Sequence, residues 1–193
     1  MRVLVLYAHP VETSFSAALH KATVEALTAA GHEVDDCDLY AEKFDPVMSR
    51  QERLDYHDET ACTKPVETYV ARLRQAEALV ICAPVWNYGY PAILKGFFDR
   101  VFLPGVSFKL IDGKVWPSLQ HIRKIAAVHT YGGSRFRTFL MGNAPRKAFT
   151  RTLRALVYPF ARTRYLALYN MNNVDAGKRD AFLARVSVTM RAF

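Results

Sequence analysis

Arg2-Val-Leu-Val-Leu-Tyr-Ala8 is a continuous apolar run with β-branched members and no polar alternation, the pattern of a strand covered on both faces in a parallel sheet. The residues after it decide the class. Leu19, Ala22, Ala26, Leu27 and Ala30 recur at helical spacing, and Gly31 stops the pattern. Strand, short loop and helix then repeat along the chain. Residues 33–39 read as a strand, 66–76 as a helix and 79–83 as a second buried strand. Pro91 opens a helix whose Ile93, Leu94, Phe97, Phe98, Val101 and Phe102 form one apolar stripe. Residues 125–130 read as a strand, 148–157 as a helix and 165–169 as a strand; a last helix carries Leu183, Val186 and Met190 on one face. Right-handed crossovers return each strand in the same direction, so the alternation predicts a parallel sheet with helices on both sides. Five strands predict one α/β domain over residues 1–193, a three-layer sandwich with sheet order 2-1-3-4-5.

The totals agree with one domain. About half of the 193 residues are hydrophobic, enough for a single substantial core. The early apolar run is far shorter than the roughly 20 residues of a bilayer span, and it leads into His9-Pro10 without a small-residue cleavage site. A cytoplasmic protein with no membrane insertion is the expectation. Cys37, Cys62 and Cys82 are widely spaced, form no CxxC pair and stand in no cluster with histidine, which argues against a disulfide scaffold or a zinc site. Cys82 lies inside the apolar run 78–83 and reads as a small buried residue.

A net charge of +8 favours anionic partners, phosphate-bearing cofactors and nucleic acid alike. The densest basic stretch holds Arg146, Lys147, Arg151, Arg154, Arg162 and Arg164, interleaved with Phe149, Leu153, Leu156 and Val157. It reads as the wet face of an amphipathic helix, and no recognition motif accompanies it, so nucleic acid is not an expected partner. Two longer excursions, residues 40–64 and 104–120, read as lids or partner surfaces.

In an open parallel sheet, ligands bind beyond the carboxyl ends of the strands, and three unusual loops leave such ends here. The first, His9-Pro-Val-Glu-Thr-Ser-Phe-Ser16, sets hydroxyls of Thr13, Ser14 and Ser16 at a helix N-terminus, suited to a phosphate or simply to capping the helix. In the second, Pro84-Val-Trp-Asn-Tyr-Gly-Tyr90, Trp86, Tyr88 and Tyr90 either flank a flat ring or pack inward. The third, Thr130-Tyr-Gly-Gly133, either lets backbone N–H groups approach a ligand or makes a tight turn. Together, a phosphate clamp, an aromatic wall and a glycine pair match the needs of a flavin mononucleotide unit.

Further motifs carry a resemblance. Tyr7-Ala-His-Pro10 with Thr13-Ser-Phe-Ser16, Asp38-Leu-Tyr-Ala41 with Phe44-Asp-Pro46, and Pro91-Ala-Ile-Leu-Lys-Gly-Phe-Phe-Asp-Arg-Val-Phe102 resemble the NAD(P)H:quinone reductases of flavodoxin-like fold. That group includes bacterial short-chain members and the ancillary oxidoreductases of potassium-efflux systems. The resemblance runs from Met1 to about Gly133 and is specific through residues 84–102. It implies flavin-mediated hydride transfer from NAD(P)H to a quinone or similar acceptor, and a homodimer with a flavin at each of two interface sites, to whose contact the helix at 92–102 contributes. It also implies that His9, Thr13, Phe15 and Ser16 hold the phosphate part, that Pro84, Val85, Trp86, Asn87 and Tyr88 meet the isoalloxazine edge, and that Thr130, Tyr131, Gly132 and Gly133 meet its pyrimidine end. FAD is slightly favoured over FMN. The alternative is a regulatory flavin-binding subunit docked on a membrane transporter. One departure stands out: larger quinone reductases carry a tyrosine and a histidine shortly after the double glycine, and Ser134-Arg-Phe-Arg-Thr-Phe-Leu-Met141 offers neither at the matching spacing. Arg135 or Arg137 is then left to take up charge on the reduced ring or a cofactor phosphate.

Overall fold

The computed structural model describes residues 1–193. In chain order the elements are β1 (Arg2–Tyr7), α1 (Phe15–Ala29), β2 (Glu33–Asp38), α2 (Arg50–Leu54), α3 (Glu67–Gln75), β3 (Ala78–Val85), α4 (Ala92–Val101), β4 (Phe108–Ile111), β5 (Lys114–Pro117), β6 (Lys124–Tyr131), α5 (Arg135–Leu140), α6 (Ala144–Lys147), α7 (Arg154–Leu156), β7 (Arg162–Leu168) and α8 (Ala176–Arg191). The parallel sheet runs β2-β1-β3-β6-β7, which is the expected order when its five strands are counted along the chain. Alternate strand residues feed two cores. Leu4, Leu6, Leu79, Ile81, Ile125 and Ala127 face α3 and α4. Val3, Val5, Val80, Cys82, Ala126 and Val128 face α1 and α8. No helix is long and apolar enough to cross a membrane.

The two edges of the sheet carry opposite charge, which discourages strand addition by other chains. β2 holds Glu33, Asp35, Asp36 and Asp38, while β7 holds Arg162 and Arg164. This corrects the reading of the basic stretch, because its last two arginines belong to an edge strand. The rest is not a plain α-helix either: a π-helix at Ala148–Leu153 joins α6 to α7, with Phe149 and Leu153 buried and Arg151 exposed.

The first excursion is strapped down. Arg100 of α4, 8% exposed, bonds Glu52 through Nε at 2.8 Å and also donates to the Asp45 carbonyl. Glu52 in turn closes a capping box with Ser49 at the start of α2. Phe44 and Cys62 are buried in the core, so residues 40–64 form part of the domain body and not a lid. The second excursion holds the hairpin β4–β5, turned by Asp112 and Gly113 with φ of 51° and 71°. Nothing in the helix and strand alternation announced it, although Asp-Gly is a strong two-residue hairpin signal.

Buried His129 predicts acid sensitivity. Its Nδ1–H donates to the Ala83 carbonyl at 2.9 Å, and burial lowers its pKa from 6.5 to about 4. Between those values the unfolded chain holds a proton that the folded one refuses, so stability is full above pH 6.5 and declines as pH falls towards 4. For Glu52, burial pushes the pKa up, but the Ser49 and Arg100 contacts outweigh it and hold the carboxyl below its ordinary value; its contribution is also lost on acidification. Urea midpoints are expected to fall through this window, and His129→Phe to flatten the slope above pH 4. A flat wild-type profile would refute the assignment.

Candidate functional site

The first loop leaves β1 tied to its neighbour, since the Ala8 amide donates to the Cys82 carbonyl at 3.1 Å. The Val11 amide donates to His9 Nδ1 at 3.1 Å, which puts the ring proton of a neutral imidazole on Nε2. Ser14 is the N-cap of α1, accepting from the Ala17 amide at 3.1 Å. The Ser16 hydroxyl is buried and meets the Thr130 hydroxyl at 3.2 Å. Ser14 accepts through its oxygen and keeps its O–H to donate, and one hydroxyl of the Ser16–Thr130 pair likewise keeps its proton, so these fold contacts are compatible with a phosphate role. The helix terminus itself remains for an anion. The amides of Phe15 and Ser16 donate to no acceptor in the chain, the first turn carries no acidic residue, and Thr13 is exposed beside it. The Phe15 ring packs against the core on the α1 side of the sheet.

The second loop has an unusual backbone. Pro84 and Val85 extend β3 in register with Thr130 and Tyr131 of β6, and both are buried. Trp86 and Gly89 then exchange backbone hydrogen bonds at 3.1 and 2.9 Å around Asn87 and Tyr88, whose φ angles are 48° and 59°. That is a type I′ turn with no glycine at either central position. A tyrosine held left-handed costs about 1 kcal/mol, the kind of local strain that ligand sites store. The turn leaves Trp86 exposed, edge-on to His9 with ring centroids 5.7 Å apart, and aims Tyr88 at Gly133. Tyr90 takes the inward alternative: its hydroxyl donates to the Pro145 carbonyl at 2.9 Å, and its ring lines a groove with Phe98 and Phe102.

In the third loop Tyr131 likewise turns inward. Its ring is buried, its hydroxyl bonds Tyr165 and the Asn143 side chain, and burial pushes its pKa up to about 12. Only its backbone can serve the site. Gly132 and Gly133 have no positive φ, so the chain does not need glycine to turn there. A Cβ on Gly133 would stand 3.6 Å from both the Thr138 hydroxyl and the Tyr88 hydroxyl. Thr138 is the residue that sequence reasoning missed. It is 1% exposed and its hydroxyl has no hydrogen-bond partner, a costly state for a buried polar group unless a ligand completes it. It stands four positions after the capping Ser134, and the structure turns it inward while Arg135, Phe136 and Phe139 face outward.

The sheet thus brings the three loops to one rim. The Ser16–Thr130 pair joins the first to the third, His9–Trp86 joins the first to the second, and Tyr88–Gly133 joins the second to the third. The residues present fit a flat ring with a phosphate tail: aromatic side chains on one wall, two bare glycines and an orphaned hydroxyl at one end, and free helix amides at the other.

A doubly wound sheet with its ligand crevice at the carboxyl ends of the central strands defines a class of nucleotide- and flavin-binding domains. Within it, the chain belongs to the flavodoxin-like fold family, whose model matches residues 1–187. It is 37% identical to NAD(P)H dehydrogenase (quinone) 1 of Cavia porcellus over 157 residues, 73% of this chain and 57% of that protein. The chain spans about half the length of the first curated relatives it matches. Smu.1420 of Streptococcus mutans UA159 superposes with a TM-score of 0.87 at 27% identity over 100% of both chains. An NAD(P)H:quinone oxidoreductase from Methanothermobacter marburgensis gives 0.82 at 26% identity, covering 99% of this chain and 98% of that one.

Proposed function

We propose that the chain is a flavin-dependent NAD(P)H oxidoreductase that delivers hydride to a quinone or a similar small aromatic acceptor. The observation that carries the reading is the convergence of three loops on one rim, with the buried Thr138 hydroxyl left open beside Gly133. When bound, a flavin supplies the hydride-carrying ring between a nicotinamide donor and the acceptor. The chain's share is positioning. The free amides at the start of α1 and the His9 Nε2–H hold the phosphate. Pro84 to Tyr88 form the wall along the ring edge, and Trp86 excludes water from it. The Gly132 and Gly133 backbone and the Thr138 hydroxyl meet the polar pyrimidine end, where donated hydrogen bonds stabilise negative charge on the ring. No side chain of the three loops is needed as an acid or a base. FAD and FMN share the ring and first phosphate that these loops address; the lean towards FAD rests on His9 and the resemblance, while solved structures of this fold that name their flavin name FMN.

The purified protein is expected to be yellow and to oxidise NADH or NADPH with menadione over many cycles. Initial-rate plots are expected to be parallel, because donor and acceptor take turns at one face of the ring. Colourless protein that neither binds added flavin nor turns over would end the proposal, and intersecting plots would end the shared-face version. Chromatography of the released cofactor separates FAD from FMN. Thr138→Val keeps the side-chain shape and removes an unsatisfied hydroxyl, so the flavin-free protein is expected to melt at the same temperature or higher. Flavin affinity is expected to fall by about fivefold, the worth of one net hydrogen bond; unchanged affinity would remove Thr138 from the site.

The homodimer implied by the resemblance is part of this proposal, with one revision. Ile93, Leu94, Phe97 and Val101 of the α4 stripe are buried in the chain's own core. The surface offered to a second copy is instead an apolar groove of about 600 Å³ between α4 and the π-helix, lined by Tyr90, Phe98, Phe102, Phe108 and Leu156 among others. Sedimentation equilibrium tests it, and a monomer at micromolar concentration would refute it.

A further inference from the structure

The helix just beyond the double glycine is amphipathic in the wrong sense for a solvated surface. Thr138 faces inward at 1% exposure, whereas Phe136, Phe139, Leu140 and Met141 are exposed by 70%, 73%, 64% and 61%. At about 100° per residue, Phe136, Phe139 and Leu140 fall together on the side opposite Thr138, and Arg135 and Arg137 flank them on either side. A helix resting on water alone would carry its charges where these rings stand. α5 begins two residues after Gly133, so the helix edges the flavin crevice with Thr138 turned inward beside Gly133 and its apolar face turned outward.

Charge identifies what such a face can meet. From Gly113 to Val174 the chain has no aspartate or glutamate, but it has eleven of its 26 lysines and arginines. Arg135 and Arg137 are exposed, as are Arg146 and Lys147 a short way along the chain. With α5 on a two-fold axis, this face against its own copy would set arginine against arginine with no carboxylate from the segment to relieve it. An anionic bilayer surface satisfies both parts at once. Phenylalanine and leucine enter the headgroup–acyl boundary, and the flanking guanidinium groups reach lipid phosphates.

We propose that α5 is a membrane-contact element that seats the lip of the crevice on an anionic lipid surface. Resting on the oxidoreductase reading above, this would let an apolar acceptor dissolved in the bilayer reach the crevice without crossing water. The contact itself requires no turnover and can be tested separately.

The test is flotation of the full chain, as purified, with vesicles of phosphatidylcholine alone and of phosphatidylcholine mixed with phosphatidylglycerol. Binding is expected to be about tenfold or more stronger with phosphatidylglycerol and to weaken as salt is raised. The double variant Phe136→Ser with Phe139→Ser is expected to lose that binding by about tenfold or more while retaining its melting temperature and its rate with a water-soluble quinone. Equal binding to both vesicle types, or binding untouched by the variant, would overturn the proposal. So would a fall in sedimentation mass of the variant, which would make the face a contact between copies. If vesicle binding behaves as expected but NAD(P)H is not oxidised, the surface stands and the enzymatic reading falls.

Discussion

Gly133→Ala is expected to leave the flavin-free protein intact and to lower its flavin affinity by about 30-fold or more, roughly 2 kcal/mol. The two halves of this expectation have separate grounds. Gly133 has no positive φ, so alanine meets no backbone penalty there. The added Cβ would meet the Thr138 hydroxyl and the Tyr88 hydroxyl at 3.6 Å and Tyr88 Cε1 at 3.7 Å, ordinary van der Waals distances. A methyl group therefore fits the flavin-free protein. It also occupies the space between an orphaned buried hydroxyl and a strained tyrosine, which is where the polar end of the ring is assigned. Gly132→Ala is the control, since its Cβ would meet only the Asn172 amide nitrogen at 3.9 Å. Fluorescence titration and thermal melts of both variants read the two halves independently. Unchanged affinity in Gly133→Ala would show that the ring does not lie against this glycine.

The sequence made the scaffold legible and the side-chain directions at its rim only partly so. The short apolar runs of β1, β3 and β6, rich in β-branched residues, read as strands buried on both faces, and the alternation with helices placed the more polar edge strands β2 and β7 beside them. The loops were found because their position after β1, β3 and β6 is a consequence of that order. What pattern could not supply was which way each loop residue points. Tyr88 and Tyr90 are two residues apart in one loop, yet one faces Gly133 and the other bonds Pro145, because a left-handed turn lies between them. Tyr131 looked like a site residue by neighbourhood, but strand alternation sends its ring to the α4 side of the sheet, where Tyr165 and Asn143 take its hydroxyl. Thr138 stayed hidden because its meaning is a missing partner, and a sequence does not display an unmade hydrogen bond. The Asp112-Gly113 hairpin is a different kind of miss: its signal was local and plain, and the strand–helix alternation drew attention away from it.

The motifs that carry the family resemblance have a structural explanation, and it yields the second large effect. Phe44-Asp-Pro46 and the α4 segment are distant in sequence but packed together: Phe44 lies 5.4 Å from Phe97 between ring centroids, the Asp45 carbonyl accepts from Arg100, and Pro46 lies against Gly96. A Cβ on Gly96 would fall 2.3 Å from the Pro46 carbonyl oxygen, 2.4 Å from its Cβ and 2.5 Å from its Cα. Two of those three atoms are backbone, held in place by the Arg100 strap, so no rotamer change relieves the overlap. Gly96→Ala is accordingly expected to destabilise the protein by about 3 kcal/mol or more, even though alanine in a helix interior is normally favoured over glycine by about 1 kcal/mol. Pro46→Gly is expected not to rescue it, because the carbonyl oxygen and Cα remain. The damage should reach the crevice as well, since α4 begins just beyond the Trp86–Gly89 turn and carries the end of that loop. Urea unfolding reads the stability and flavin titration reads the site. A Gly96→Ala protein as stable as the parent would mean that α4 and the 40–64 segment are not in the close contact described, and the account of why those motifs occur together would fall with it.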